Sequence, residues 1–157
     1  MRRSDREIKD VDRILNIVDK CKVARLGIVD GGRPYVVALN FGYRRIDNDI
    51  TLYFHSACEG RKIQVMRENP YVCFEMDCAH GLIEGKKPCA FSFAYESVVG
   101  SGKIEFIDNR EEKNEALNLI TSHITGADKS YTFPSQALDN TCVYRLVAQE
   151  YTAKINE

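Results

Sequence analysis

The chain has 157 residues, of which 44% are hydrophobic and 29% charged, with a formal net charge of -1. This composition is that of an ordinary globular protein with enough chain for a real core, and we expect one domain spanning residues 1–157. The 22 basic residues are balanced by 23 acidic ones and form no basic stripe, which argues against a nucleic-acid partner. Met1–Asp12 is too charged for a signal peptide and no apolar run could cross a bilayer, so we expect no membrane partner and a cytoplasmic location.

The six cysteines are scattered along a chain without an export signal. Free thiols in a reducing compartment are the better interpretation. A zinc site built from Cys73, Cys78, His80 and Cys89 is a competing hypothesis, but this spacing lacks the tight Cys-x2-Cys pair of common structural sites. We therefore expect no metal.

Hydrophobic periodicity and turn residues predict the elements of the N-terminal part of the chain. The Asp-Gly start of the first turn is a strong hairpin signal. The predicted elements are a helix over Asp10–Lys20, strands over Lys22–Val29 and Pro34–Tyr43 joined by a hairpin turn at Asp30–Arg33, a turn at Asp47–Asp49, and a strand over Ile50–Phe54.

The stretch Thr51–Pro70 has the pattern of an anion-binding turn. An aromatic strand leads into a turn of small residues, and Gly60 then precedes a helix that ends before a proline. A helix start offers unpaired N–H groups and the positive end of the helix dipole, which together suit a phosphate. Cations at a helix start oppose the dipole, so a purely structural role is less natural. The side chains gathered at this turn are His55, Ser56, Arg61 and Lys62.

In the C-terminal part, aromatic and β-branched residues predict long strands, and glycines at positions 100 and 102 predict a bend such as barrel corners need. The elements are a strand over Tyr71–Met76, an irregular excursion over Asp77–Pro88, a bent strand over Phe91–Ile107, a helix from Asp108 to Gly126, a connection over Asp128–Asn140, and a final strand over Thr141–Ala153. This order predicts a mainly β fold with peripheral helices, in the form of a small closed or split antiparallel β-barrel.

The order of these features resembles the flavin-binding split-barrel superfamily typified by pyridoxamine 5'-phosphate oxidase, and the resemblance covers nearly the whole chain. Within the superfamily, the 5-nitroimidazole-resistance (Nim) branch is the more similar one. The segments that carry the resemblance are Arg33–Phe41, Leu52–Ser56, Glu59–Lys62, Asn69-Pro70, Cys73–Asp77 and Gly100-x-Gly102-Lys103.

The resemblance implies a split barrel of the FMN-binding type that forms a homodimer with flavin at the subunit interface. The cofactor would be FMN, with FAD as the alternative. Arg61 and Lys62 match the phosphate-binding pair, with Ser56 and Gly60 beside them. His55 lies where the family often has a histidine near flavin and substrate, which makes it the candidate catalytic residue. The remaining cofactor-binding positions that the resemblance implies are Val37, Ala38, Leu39, Asn40, Phe41 and Ser97.

Several of these positions have a structural alternative. Val37, Ala38 and Leu39 are also what the core of a strand requires. Asn40 could face a ligand or a turn. His55 could contact a substrate or donate a proton, or it could be satisfied by backbone groups at a strand end. We predict His80, in a loop, and His123, on a helix, to be surface residues.

The function that the resemblance implies is an FMN-dependent reductase of nitroimidazoles or other small nitroaromatic or heterocyclic acceptors. No Gly-x-Gly-x-x-Gly motif is present, so electrons would come from transient NAD(P)H binding or a protein donor. The chain ends in Gln149–Lys154 without the Arg-x-His pair of the oxidases, and we do not expect pyridoxamine phosphate oxidase activity. The alternatives are a non-catalytic flavin-binding or redox-sensing module using thiols such as Cys58, and a haem- or deazaflavin-binding relative.

Overall fold

A computed structural model of the protein describes residues 3–46 and 49–157. Two single 3-10 turns, Ser4–Arg6 and Pro88–Ala90, accompany the regular elements. The helices are α1 (Val11–Lys20), α2 (Arg61–Glu68), α3 (Arg110–Thr125) and α4 (Ser135–Asp139). The strands are β1 (Glu7–Ile8), β2 (Ala24–Asp30), β3 (Arg33–Leu39), β4 (Gly42–Ile46), β5 (Asp49–Ala57), β6 (Tyr71–Ile83), β7 (Ser92–Ile107) and β8 (Thr141–Asn156).

The strands form one eight-stranded antiparallel sheet in the order β3-β2-β6-β7-β8-β5-β4, and β1 pairs with β8. Strand β8 is sixteen residues long and pairs with both β5 and β7. The predicted fold class, a mainly β split barrel with peripheral helices, is confirmed. Within the described residues, no helix is long and apolar enough to cross a bilayer.

The predicted bend in the long strand is confirmed. The pairing of β7 with β8 shifts register between Ser101 and Gly102. The predicted irregular excursion over Asp77–Pro88 is wrong for its first half, because β6 continues to Ile83. A second register shift, between Cys78 and Gly81, interrupts the alternation of buried and exposed residues. Because of this shift, the alternation of residues in the sequence does not indicate a strand here.

The prediction of one strand over Pro34–Tyr43 is also wrong. The chain leaves β3 after Leu39 and starts β4 at Gly42, at the opposite end of the sheet order. Between them Phe41 is fully buried in the core. Gly42 lies against α3 so closely that a β-carbon there would come within 2.4 Å of the Ile120 backbone nitrogen. Both contacts are tertiary, so the local sequence does not show the break.

Strand β5 is longer than predicted and includes His55 and Ser56, which were expected in the turn. The predicted turn at Asp47–Asp49 falls mainly on residues outside the described part of the chain, and Asp49 begins β5. The final strand continues beyond Ala153 to Asn156. The helix after Gly60 has the predicted extent.

The core consists of two clusters on either side of the sheet. The larger one fills the barrel and receives three apolar residues from each of two helices. Burial of each such side chain contributes about 1.5–3 kcal/mol to the free energy of folding. The smaller one lies between α3 and the outer side of β5 and β8. The helical members of the first are Ile14, Ile17, Val18, Ile63, Val65 and Met66, and those of the second are Ala116, Leu117 and Ile120.

Candidate functional site

Helix α2 begins with an open, cationic first turn. Its N-cap is Gly60, whose φ of 130° is one that residues with a side chain rarely adopt. The Ile63 and Gln64 N–H groups donate to the Gly60 carbonyl at 3.0 and 3.2 Å. The N–H groups of Arg61 and Lys62 therefore precede the first intrahelical donor, that of Ile63, and have no intrahelical partner. Such groups are suited to bind an anion.

The Arg61 side chain reaches from this turn to the β2–β3 hairpin. Its Nε and Nη2 both donate to Oδ2 of Asp30, at 2.7 and 2.6 Å. The guanidinium also lies over the ring of Tyr35, with 4.3 Å between Cζ and the ring centroid. The side chain nevertheless keeps 61% of its surface exposed. Arg61 is thus oriented by two neighbours while part of its donor set remains open.

Lys62 follows as a second, half-buried cation, and no acidic residue occupies the first turn of α2. Two positive side chains at the positive end of a helix dipole repel it and each other. An anion at this position would relieve that repulsion. The charge arrangement therefore favours ligand binding over a purely structural role.

His55 and Ser56 lie at the end of β5, just before the turn into α2. The Ser56 hydroxyl donates to the Ala57 carbonyl at 3.0 Å. Desolvation lowers the pKa of the His55 imidazole below its ordinary value of 6.5, although the residue remains exposed. The imidazole is therefore neutral near pH 7 and can both donate and accept a hydrogen bond.

The segment Val37–Phe41, which the resemblance assigns to cofactor binding, divides between the two sides of the sheet. Val37 and Leu39 are half-buried and pack on the core, whereas Ala38 is exposed on the outer side. The Asn40 amide donates to the Lys22 carbonyl at 2.8 Å, which is the contact expected of a turn residue. The Phe41 side chain lies in the core, so only its backbone could face a ligand.

Ser97 lies far from this group within one chain. His55 pairs with Val143, which pairs in turn with Ile107 on β7. Ser97 is ten residues from Ile107 on the same strand, roughly 33 Å at about 3.3 Å per residue. A single chain therefore does not place Ser97 beside His55.

The other two histidines have different surroundings. His80 is exposed, on β6 rather than in a loop, and its Nε2 bonds an Asp77 carboxylate oxygen. The prediction that His123 is a surface residue is wrong. It is buried at the end of α3, where its Nε2 bonds the Cys21 carbonyl at 2.7 Å and its ring packs against Phe41 with centroids 4.6 Å apart.

The described residues contain no group of three or more His, Cys, Asp or Glu arranged to hold a metal ion. All six cysteines are free thiols, three of them exposed. Among the exposed ones, the Cys58 thiol lies 3.8 Å from the Asp139 carbonyl oxygen. The described residues therefore place a cationic helix start at α2 and no cluster of metal ligands.

Sequence patterns did not identify Asp30 and Tyr35 as neighbours of Arg61. The sequence pattern places Asp30 only in the hairpin turn, and nothing in the alternation of β3 sets Tyr35 apart. The three side chains meet because the hairpin lies beside the start of α2, 31 residues away from Asp30 in sequence. Their contact is a consequence of the fold.

This architecture defines the class of the protein as a split antiparallel β-barrel with a cationic helix start. The sequence pattern of the pyridoxamine 5'-phosphate oxidase family matches residues 10–155. The chain belongs to that family, and the resemblance predicted from the sequence is confirmed.

Three solved structures illustrate the relationship. A Bacteroides thetaiotaomicron protein, to which 5-nitroimidazole antibiotic resistance has been ascribed, is 35% identical, with 95% of this chain and 86% of that chain covered and a TM-score of 0.82. A flavocytochrome from Azotobacter vinelandii is 21% identical over 100% of this chain and 72% of its own, with a TM-score of 0.83. A FAD-binding protein from Mesorhizobium loti is 22% identical over 97% of this chain and 98% of its own, with a TM-score of 0.68.

The last two similarities, below 25% identity, concern the fold alone. No curated protein sequence matches the chain.

Proposed function

We propose that the protein binds a flavin nucleotide whose phosphate lies at the start of α2. The observation that carries this proposal is the first turn itself, where two cationic residues whose N–H groups have no intrahelical partner follow Gly60. A phosphate monoester or diphosphate satisfies all of these donors through charge-assisted hydrogen bonds. Relatives with this fold include proteins named for FAD binding, which supports flavin as the ligand. FMN is our first choice and FAD the second.

The purified protein should show the absorption bands of oxidised flavin, and mass spectrometry of the released cofactor will distinguish FMN from FAD. Replacing both cations, Arg61→Ala with Lys62→Ala, should remove the cofactor and leave a folded protein. Arg44→Ala is the control, because Arg44 is also an exposed arginine in an ion pair, and its partner, Glu115, lies on α3 and not at the turn before α2. Full flavin occupancy in the double variant would refute the phosphate assignment.

We propose further that the protein is an oxidoreductase that reduces small nitroaromatic or heterocyclic compounds, including nitroimidazoles. A bound flavin would carry electrons between the donor and this acceptor. Arg61 and Lys62 hold the phosphate end, and the outward backbone edge of β3 near Ala38 offers hydrogen-bonding groups to the ring. The neutral His55 imidazole is placed to accept a hydrogen bond from the acceptor or to hold a proton there.

Anaerobic spectroscopy tests this activity. NADPH or NADH should bleach the flavin bands, and a 5-nitroimidazole should restore them. His55→Gln should slow the reoxidation step and leave flavin affinity unchanged, if the imidazole acts on the acceptor. Bleaching without any turnover of the acceptor would instead identify a non-catalytic flavin-binding or redox-sensing protein.

We propose that two chains associate through the outer face of β3, β2, β6 and β7. Three large side chains on this face are exposed, namely Val36 (61%), Tyr71 (61%) and Val99 (42%). The strand register brings Val36 into one row with Gly27, Cys73 and Ser101 across the four strands. A row of small, uncharged residues beside exposed apolar side chains favours a protein interface. Pairing two chains would also give the site a residue, Ser97, that lies too far from His55 in one chain.

Light scattering will measure the mass in solution, and we expect twice the chain mass of 17.9 kDa. Val99→Glu should produce monomers and lose flavin. Ile124→Glu is the control, since Ile124 has the same 42% exposure but lies on α3. A wild-type mass of one chain would refute the dimer.

A further inference from the structure

The contacts of Arg61 go beyond what phosphate binding requires. Both neighbours of the guanidinium, Asp30 and Tyr35, belong to the β2–β3 hairpin. We infer that Asp30 and Tyr35 are positioning residues, which hold Arg61 so that one edge of its guanidinium faces the anionic group of the ligand. The inference rests on the proposed flavin-phosphate site and adds two residues to it.

The hydrogen-bond geometry defines which edge remains free. A guanidinium has five N–H donors in a rigid fork. Asp30 takes the edge formed by Nε and Nη2, through one carboxylate oxygen. The Tyr35 ring covers one face at 4.3 Å. The edge formed by Nη1 and the second Nη2 hydrogen is left, and it is suited to grip two oxygens of a phosphate.

The hairpin supplies a firm support for this arrangement. Asp30 is the last residue of β2 and pairs with Arg33 across the turn, and its side chain is only 31% exposed. Tyr35 is half-buried on β3 and packs against the core. An exposed arginine without such support would lose side-chain freedom on binding, at a cost in affinity of roughly threefold to tenfold. Here the contacts order Arg61 before the ligand arrives.

Asp30 also has an opposing effect, because its carboxylate repels a phosphate. Two substitutions separate the effects. Asp30→Asn and Asp30→Ala remove the same charge, but only asparagine keeps an oxygen that can accept a hydrogen bond from Arg61. Any difference in phosphate affinity between these variants therefore reports positioning and not charge.

The experiment compares FMN with riboflavin, which lacks the phosphate, by fluorescence titration of the flavin-free protein. Asp30→Ala should weaken FMN binding roughly threefold to tenfold, Asp30→Asn should weaken it less, and riboflavin binding should not change in either variant. Tyr35→Leu should weaken FMN binding selectively as well, because leucine offers no aromatic face. Glu115→Ala, which frees the paired Arg44, is the control and should have no effect.

A double-mutant cycle completes the test. In an Arg61→Ala background the Asp30→Ala change should have no further effect on the ratio of FMN to riboflavin affinity. Equal or tighter FMN binding by Asp30→Ala in the wild-type background would overturn the inference, as would an equal loss for riboflavin. If Arg61→Ala lowers FMN affinity while Asp30→Ala does not, only the positioning role fails. If wild-type protein binds neither flavin, the proposed function and this inference fail together.

Discussion

Helices α2 and α3 both follow a strand, but their first turns are built in opposite ways. The N-cap of α3 is Asn109, whose side chain accepts hydrogen bonds from the Glu111 and Glu112 N–H groups at 2.9 and 3.1 Å. The two glutamates also complement the helix dipole. The N-cap of α2 is Gly60, and the first turn of α2 has two cations and no acidic residue.

The difference separates a helix start that stabilises the fold from one that is available to a ligand. The Asn109 side chain satisfies two of the first N–H groups of α3. The first turn of α2 leaves its N–H groups open and places positive charges beside them, which lowers helix stability unless an anion binds. Departures from local rules tend to mark functional positions. The comparison therefore supports the anion site independently of family membership.

We expect the largest effect on flavin affinity from a substitution that makes the first turn of α2 resemble that of α3. Lys62→Glu places an acidic residue in the first turn, which should raise the unfolding free energy by about 0.3–1 kcal/mol. The same change removes a charge-assisted hydrogen bond, so flavin affinity should fall roughly 10- to 100-fold. Thermal unfolding of the flavin-free protein and flavin titration measure the two effects.

Gln64→Glu is the control for this variant, because Gln64 is an exposed residue of the same helix that lies beyond the open N–H groups. It should change flavin affinity much less. If Lys62→Glu lowered stability and left flavin binding intact, the contrast between the two helix starts would have no functional meaning.

The converse change, Asn109→Ala, should affect stability alone. Loss of the cap leaves two N–H groups without their acceptor and should cost about 1 kcal/mol of unfolding free energy. Flavin affinity should remain that of the wild type, because α3 does not contribute to the proposed site. Denaturant unfolding with a flavin titration measures both quantities. A fall in flavin affinity comparable to that of Lys62→Glu would show that the two helix starts are not separate in function.

Much of the fold follows from local sequence. The Asp30–Arg33 hairpin, the extent of α2 and the bend in β7 are all encoded by turn residues and glycines that act over a few positions. The break between β3 and β4 is not, since it depends on Phe41 entering the core and on Gly42 touching the α3 backbone. Local patterns cannot show contacts between residues so far apart in the chain.

The same limit applies to the candidate site. The pair Arg61 and Lys62 could be predicted because a glycine turn before a cationic helix start is a local pattern. Asp30 and Tyr35 could not, because the hairpin meets α2 only in the folded barrel. His123 was misassigned for the same reason. The rings of Phe41 and Tyr43, which cover it with centroids 4.6 and 5.3 Å away, come from a distant part of the chain.

The smallest effect concerns the far end of α3, where His123 is buried. Desolvation lowers its pKa below 6.5, with Lys22 acting in the same direction and Asp19, whose carboxylate lies 3.8 Å from Nδ1, opposing it. The folded state therefore favours the neutral form of the His123 imidazole over the charged form. The resulting stability is present above pH about 6.5 and is lost as the pH falls below it, because the unfolded chain takes up the proton first.

Unfolding free energies measured between about pH 8 and pH 5 will test this, with a slope from His123 of at most about 1.4 kcal/mol per pH unit. His55 contributes in the same direction because its pKa is also lowered, so the informative quantity is the difference between wild type and His123→Gln. The glutamine amide can still donate to the Cys21 carbonyl but does not titrate, and the slope should be smaller. His80→Gln, at an exposed position, is the control. An unchanged slope in His123→Gln would show that this end of α3 does not respond to acid, and the pH sensitivity would then have to come from His55, beside the open start of α2.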